Sequence, residues 1–159
     1  MPRRCYSPPM SAEAPPSLTE LLDTLELVAD DRSQRIQLLI DTADRFEDVP
    51  PEVATRPFDD RHKAPHGESD AYVFAAARGD GTADFHFAVE NPQGISARAM
   101  AVILHEACSG ADPESVLAIP SDVPYQIFGR ELSMGKNMGL MGMVALVHAE
   151  AKKLAAAKG

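Results

Sequence analysis

The triplet Gly79-Asp80-Gly81, set between two apolar stretches, restricts the fold of this chain more than any other feature. Beyond it, over 82–90, Ala83, Phe85, Phe87 and Val89 take one parity while Asp84, His86 and Ala88 take the other. That is the period of a half-buried strand. With residues 71–78 ahead of the turn, the pattern predicts a two-stranded hairpin. Helical patterns lie on both sides of it, so the chain is expected to be an α+β domain of two layers, a small antiparallel sheet packed against helices.

The helical patterns have their own start and stop signals. Ser17-Leu18-Thr19-Glu20 reads as a capping box, followed by a stripe of Leu18, Leu21, Leu22, Leu25 and Val28. Asp31 and Gln34 are placed to cap a second helix with Ile36, Leu39, Ile40, Ala43 and Phe46 inward, and the short joint between the two predicts an antiparallel pair. Ser96 is the expected cap of a third helix, closed at Ser109-Gly110, and Asp112-Pro113 opens a short fourth. Residues 138–147 are apolar on nearly every side and are expected in the core or under the sheet.

Between the second helix and the hairpin, Pro50, Pro51 and Pro57 end the helical period and no strand period replaces it before Pro65. Irregular connections of this length are often functional, which draws attention to what this one delivers at its end. It delivers Pro65, His66, Gly67, Glu68 and Ser69. Taken alone, these residues make a turn: Gly67 supplies backbone freedom, and Glu68 and Ser69 solvate the strand entry.

Composition excludes several classes. The formal net charge of −9 is wrong for a nucleic-acid surface and suits a basic protein partner or plain solubility. No apolar run approaches the roughly 20 residues of a membrane span. Cys5 and Cys108 are the two cysteines of the 159 residues, too few for a disulfide framework, so a reducing cytoplasm is the default compartment. Residues 1–16 hold five prolines and no apolar signal core, and are expected to be a disordered leader to a single domain at 17–159.

Other constellations yield little. "GRELSMGKN" at 129–137 is spaced wrongly for a phosphate-binding loop, with Asn137 where a magnesium-binding hydroxyl belongs. It leaves Ser133 and Lys136 near a helix N-terminus, where a cation is unfavourable for the dipole and is either a solvated lysine or one used by a partner. None of the five histidines pairs with a cysteine at zinc spacing; His62 and His66, near Asp59 and Asp60, offer at most accidental affinity, so no metal and no cofactor is expected. Cys108 reads as a small buried residue at a helix end, the alternative being a reactive thiol.

Several stretches in order give the turn at 65–69 a second meaning. "RIQLLIDTADRFEDVPPEV", "RPF", "APHGESDAYVF", "FHFAVENPQGISARAMAVIL", "SGADPESVLAIP" and "LSMGKNMGLMGMVALVHAEAK" together resemble the SufE family of sulfur-acceptor proteins, over nearly all of 17–153. The resemblance implies a SufE/IscU-like fold and a role as activator of a SufS-type cysteine desulfurase in iron-sulfur cluster assembly. It implies a sulfur carrier rather than an independent enzyme, with an Fe-S scaffold complex as a further partner. The family's loop carries a cysteine two residues after its proline, and here that position is Gly67. Pro65, Glu68 and Ser69 otherwise fit, so the expected docking surface is Pro65, His66, Glu68 and Ser69 with Ser133 and Lys136, around a sulfur-accepting position that has no thiol. Two accounts follow: a copy whose cysteine was replaced, favoured by the intact remainder of the pattern, or a natural variant that binds a desulfurase without accepting sulfur. A regulatory or scaffold protein with no sulfur chemistry is the alternative of a different class.

Overall fold

The computed structural model describes residues 12–65, 70–91, 94–129 and 132–158. Helices α1 (Pro16–Leu27) and α2 (Arg32–Asp44) lead, by way of a long connection with one 3-10 turn (Asp60–His62), to strands β1 (Ala71–Ala77) and β2 (Ala83–Val89). Helices α3 (Ile95–Cys108), α4 (Pro113–Leu117), α5 (Val123–Phe128) and α6 (Met134–Lys158) follow. The α+β expectation therefore holds. The expected leader falls mostly on residues 1–11, outside the described part.

The strands pair antiparallel in one register, Ala71 opposite Val89 through Ala77 opposite Ala83. Gly79 and Gly81 take φ of 88° and 92°, and between them Asp80 accepts hydrogen bonds from the Thr82 N–H (2.9 Å) and hydroxyl (2.6 Å). Odd-numbered residues of both strands, among them Val73, Phe85 and Phe87, enter the helical core. Even-numbered Phe74 and Ala88 pack with Val49 on the other face, under Val53, Ala54, Phe58 and Tyr72. The second face is thus closed by the long connection.

A two-stranded sheet has two free edges, and unpaired main-chain groups there invite further strands. Here the connection and α3 occupy them. On β2 the Ala83 carbonyl accepts from the Gly110 N–H, and the Phe87 carbonyl from the Val49 N–H, each at 2.9 Å. On β1 the Ala71 carbonyl accepts from the Ala64 N–H at 2.8 Å, Lys63 bridges Tyr72, and the His62 Nδ1–H donates to the Val73 carbonyl at 3.0 Å. The connection has no regular period because its main-chain hydrogen bonds are divided between the sheet edges and short turns at Val53 and His62.

The main core centres on α3, which buries nine residues from Ala97 to Cys108. Both α1 and α2 lie against it. Helix α6 is longer than its apolar run: Leu140, Met143, Val144, Val147 and Ala151 make a buried stripe, while Met138 is 43% exposed and Met134 73%. It packs against β1, α4, α5 and α3, so 138–147 takes its expected place in the core and under the sheet, with Met138 and Ala145 at the surface.

Two expected caps are also displaced. Pro15 stands at the N-cap of α1, whose first residue is Pro16, and Ser17 lies within the first turn. The fixed φ of proline suits that position and starts the helix early. Gly94, not Ser96, caps α3. Asp31 does cap α2, accepting from the Gln34 N–H at 3.0 Å, and Gly110 ends α3 with φ 76°.

Candidate functional site

The segment singled out by sequence is entered and left through fixed residues. Lys63 and Ala64 pair with Tyr72 and Ala71 as a short antiparallel ladder, making Pro65 and Asp70 the two ends of a closed loop. The Lys63 ammonium reaches the Asp70 carboxylate at 3.3 Å, and that contact raises the lysine pKa. The Asp70 carbonyl accepts from the Glu90 N–H at 2.9 Å, joining the loop's exit to the end of β2. His66, Gly67, Glu68 and Ser69 lie outside the described residues.

Pro65 is exposed on one side and meets α6 on the other. A Cβ built on Gly142 would stand 2.9 Å from the Pro65 carbonyl oxygen and 3.0 Å from its Cδ. The proline therefore touches the same helix that carries the two other candidates. Ser133 is the N-cap of α6, its hydroxyl accepting from the Lys136 N–H at 3.2 Å. Lys136 is exposed in the first turn. Six residues separate it from Gly142, about 9 Å along the axis at 1.5 Å per residue.

Asn137, beside Lys136, is 2% exposed and no part of a surface. Its Nδ2 donates to the Leu132 and Ser133 carbonyls at 3.4 and 3.3 Å, while Oδ1 is buried without a partner among the described residues. It pins the chain entering α6.

Arg56 contributes to the same end of the molecule. Its guanidinium donates twice to Asp48 (2.8 and 3.0 Å) and once to Glu90 (2.8 Å), and lies 4.8 Å from the centre of the Phe58 ring. The Asp48 hydrogen bonds above all, against some desolvation, push its pKa further up. Through Glu90 the arginine ties the long connection to the strand end that holds Asp70. The sequence offers "RPF" only as part of a resemblance, and nothing local announces this network.

The other candidates resolve into structural roles. His62 donates from Nδ1 to Val73, accepts at Nε2 from Arg61 (3.2 Å), and packs on Phe74 with ring centres 4.7 Å apart. Both of its nitrogens are engaged. Cys108 is fully buried, and burial pushes its thiol up to about 12, so it carries almost no thiolate near neutrality. Among the described residues no group of three or more His, Cys, Asp or Glu side chains could hold a metal, and no helix is long and apolar enough to cross a membrane.

A cleft of roughly 620 Å³, unforeseen from sequence, opens between the segment that follows α2 (Arg45 to Pro50), β2 and α3. His86 and His105 line it, with ring centres 5.6 Å apart, beside the Arg45–Glu106 ion pair (3.0 Å). Burial, then the neighbouring His105, lowers the His86 pKa against the pull of Asp84 and Glu52.

Comparison with known proteins gives one family and one fold. The family profile described as SufE, Fe-S metabolism associated domain, matches residues 19–151. No curated protein matches the chain. The solution structure of a hypothetical protein from Thermus thermophilus superposes with a TM-score of 0.73 at 22% identity, over 90% of this chain and 98% of that one. At that identity the likeness establishes the fold.

Proposed function

Since the chain belongs to the SufE family, the Fe-S metabolism associated domain, we propose that it docks on a SufS-like cysteine desulfurase and, as written, takes no sulfur from it. The functional unit in this reading is 17–159, working in a reducing cytoplasm. The observation that carries it is the match to the family over 19–151 together with the lack of a thiol at position 67 and of an accessible one among the described residues. Residue 67 is glycine, and Cys108 is sealed in the core with its pKa raised. The ties at Lys63, Ala64 and Asp70 support a docking role, because fixed flanking residues have less freedom to lose on binding.

Sulfur transfer needs a thiolate at that loop. It would attack the outer sulfur of the desulfurase persulfide, forming one S–S bond on the acceptor and breaking one on the donor, whose cysteine leaves as thiolate; no outside oxidant or reductant is required. A hydrogen atom at position 67 cannot do this. Without the thiol, the partner surface is what remains to act, through Pro65, His66, Glu68, Ser69, Ser133 and Lys136, and an Fe-S scaffold complex is a further candidate to meet it.

The test is calorimetry against a SufS-like desulfurase, followed by mass spectrometry after incubation with desulfurase and cysteine, both in a Cys5→Ser background. Binding is expected with and without Gly67→Cys, and sulfane sulfur only with it. Binding that appears only with the thiol would overturn the docking role, and sulfane sulfur on Cys108 would overturn the account of the core. Absence of binding by both proteins would favour a regulatory or scaffold protein of another partner.

A further inference from the structure

Gly142 stands in the interior of a 25-residue helix, where glycine is among the poorest choices. Its backbone is helical, so conformational freedom is not its use. Space is. A Cβ there would approach the Pro65 carbonyl oxygen to 2.9 Å, with Cδ at 3.0 Å and Cγ at 3.4 Å. At Gly110 and Gly129 the nearest atoms belong to the flexible side chains of Arg78 and Arg35, which can swing away. At Gly142 they are main chain and a proline ring, which cannot.

The β1 side already holds the loop's base through the Ala64–Ala71 hydrogen bond and the Lys63–Asp70 ion pair. Those ties fix Pro65 relative to the sheet. The contact with Gly142 fixes it relative to α6, and so to Ser133 and Lys136 near the start of that helix.

We propose that Gly142 is a positioning residue: by admitting Pro65 against the α6 backbone, it sets where the chain enters 66–69 relative to the first turn of α6, and thereby the fit of the docking face. This rests on the desulfurase-docking reading for its consequence, though not for its geometry. A side chain at 142 would lift the entry point away from the helix while leaving the β1 ties in place.

The test compares Gly142→Ala with Ala145→Gly, an exposed position of the same helix, in the full chain with Cys5→Ser and with or without Gly67→Cys. Gly142→Ala should weaken desulfurase binding by about tenfold, since misplacements near 1 Å are known to carry effects of this size or larger. It should also change the rate at which iodoacetamide alkylates the thiol of the Gly67→Cys protein. Ala145→Gly should lower the melting temperature yet leave affinity and alkylation unchanged. Pro65→Ala, which removes the ring atoms, should partly restore affinity when combined with Gly142→Ala, and stands in as the probe if Gly142→Ala does not fold. Unchanged alkylation in Gly142→Ala, or in Pro65→Ala should that variant stand in, would overturn the proposal whether or not the desulfurase binds; loss of binding in the unsubstituted protein would instead overturn the docking reading.

Discussion

His105 donates from Nδ1 to the main-chain carbonyl of Phe85 at 2.6 Å, while Ser109, one turn on, accepts from the N–H of the same residue at 3.0 Å. The main chain of Phe85 faces away from β1 at that edge, so two side chains of α3 do what a third strand would otherwise do. His105→Ala should destabilise the protein by about 1–3 kcal/mol through the unpaired carbonyl, and Ser109→Ala by about 1 kcal/mol. Urea unfolding should show the lower midpoint with an unchanged slope; equal stability would mean that water replaces these bonds without loss.

Acidification should weaken the fold in a defined window. His86 and His148 both have pKa values lowered from 6.5, in each case mainly by burial. A histidine with a lowered folded-state pKa binds fewer protons folded than unfolded. Its neutral form therefore supports full stability above the unfolded value, and stability drops as pH falls through about 6.5 until the folded value is passed. Asp80 and Asp84 are lowered from 3.8, mainly by the hydrogen bonds of Thr82 and Arg78, so their contribution is lost only at more acid pH. Melting temperatures across this range should show two separate declines, and His148→Gln should flatten the upper one.

Arg56 supports two carboxylates at once. Each pair is about half exposed and worth under about 1 kcal/mol alone. Arg56→Ala also leaves Asp48 and Glu90 without the cation between them, so a loss of about 1 kcal/mol is expected, smaller in high salt. Arg56→Lys should recover less than half, because an ammonium cannot make the paired hydrogen bonds to Asp48. Thermal unfolding at two salt concentrations checks both.

Lys136→Glu should weaken desulfurase binding while raising stability slightly, by up to about 1 kcal/mol, because it puts an anion in place of a cation in the first turn of α6. Ser133→Ala should lower stability by about 1 kcal/mol through the lost N-cap. If the order is reversed, Lys136 faces away from the partner.

The hairpin, its turn, the Asp31 cap and the Gly110 stop are legible in the sequence because each is a local pattern whose cause lies within a few residues. The starts of α1 and α3 are not: Ser17 and Ser96 are good capping residues, but Pro15–Pro16 and Gly94 begin the helices first. Helix α5 escapes because six residues carry too little period. The Arg56 network and the Pro65–Gly142 contact join residues far apart in sequence, which local patterning does not report. One signal exists for the latter, a glycine inside a helix that otherwise prefers side chains. At the loop itself the sequence says which residues are present, and Gly67 is the informative one.

The connection that sheathes the sheet has a consequence for how this protein would fail. It is held by single hydrogen bonds at Val49, His62 and Ala64, by the Arg56–Glu90 and Lys63–Asp70 ion pairs, and by a small apolar cluster around Phe58 and Phe74. Such a segment can detach without unfolding the helices, and its departure would bare β1, β2 and the face carrying Phe74 together. Amyloid-like self-association should therefore begin from a nearly native species, and its rate should follow amide exchange at Val49 rather than the exchange of the α3 core.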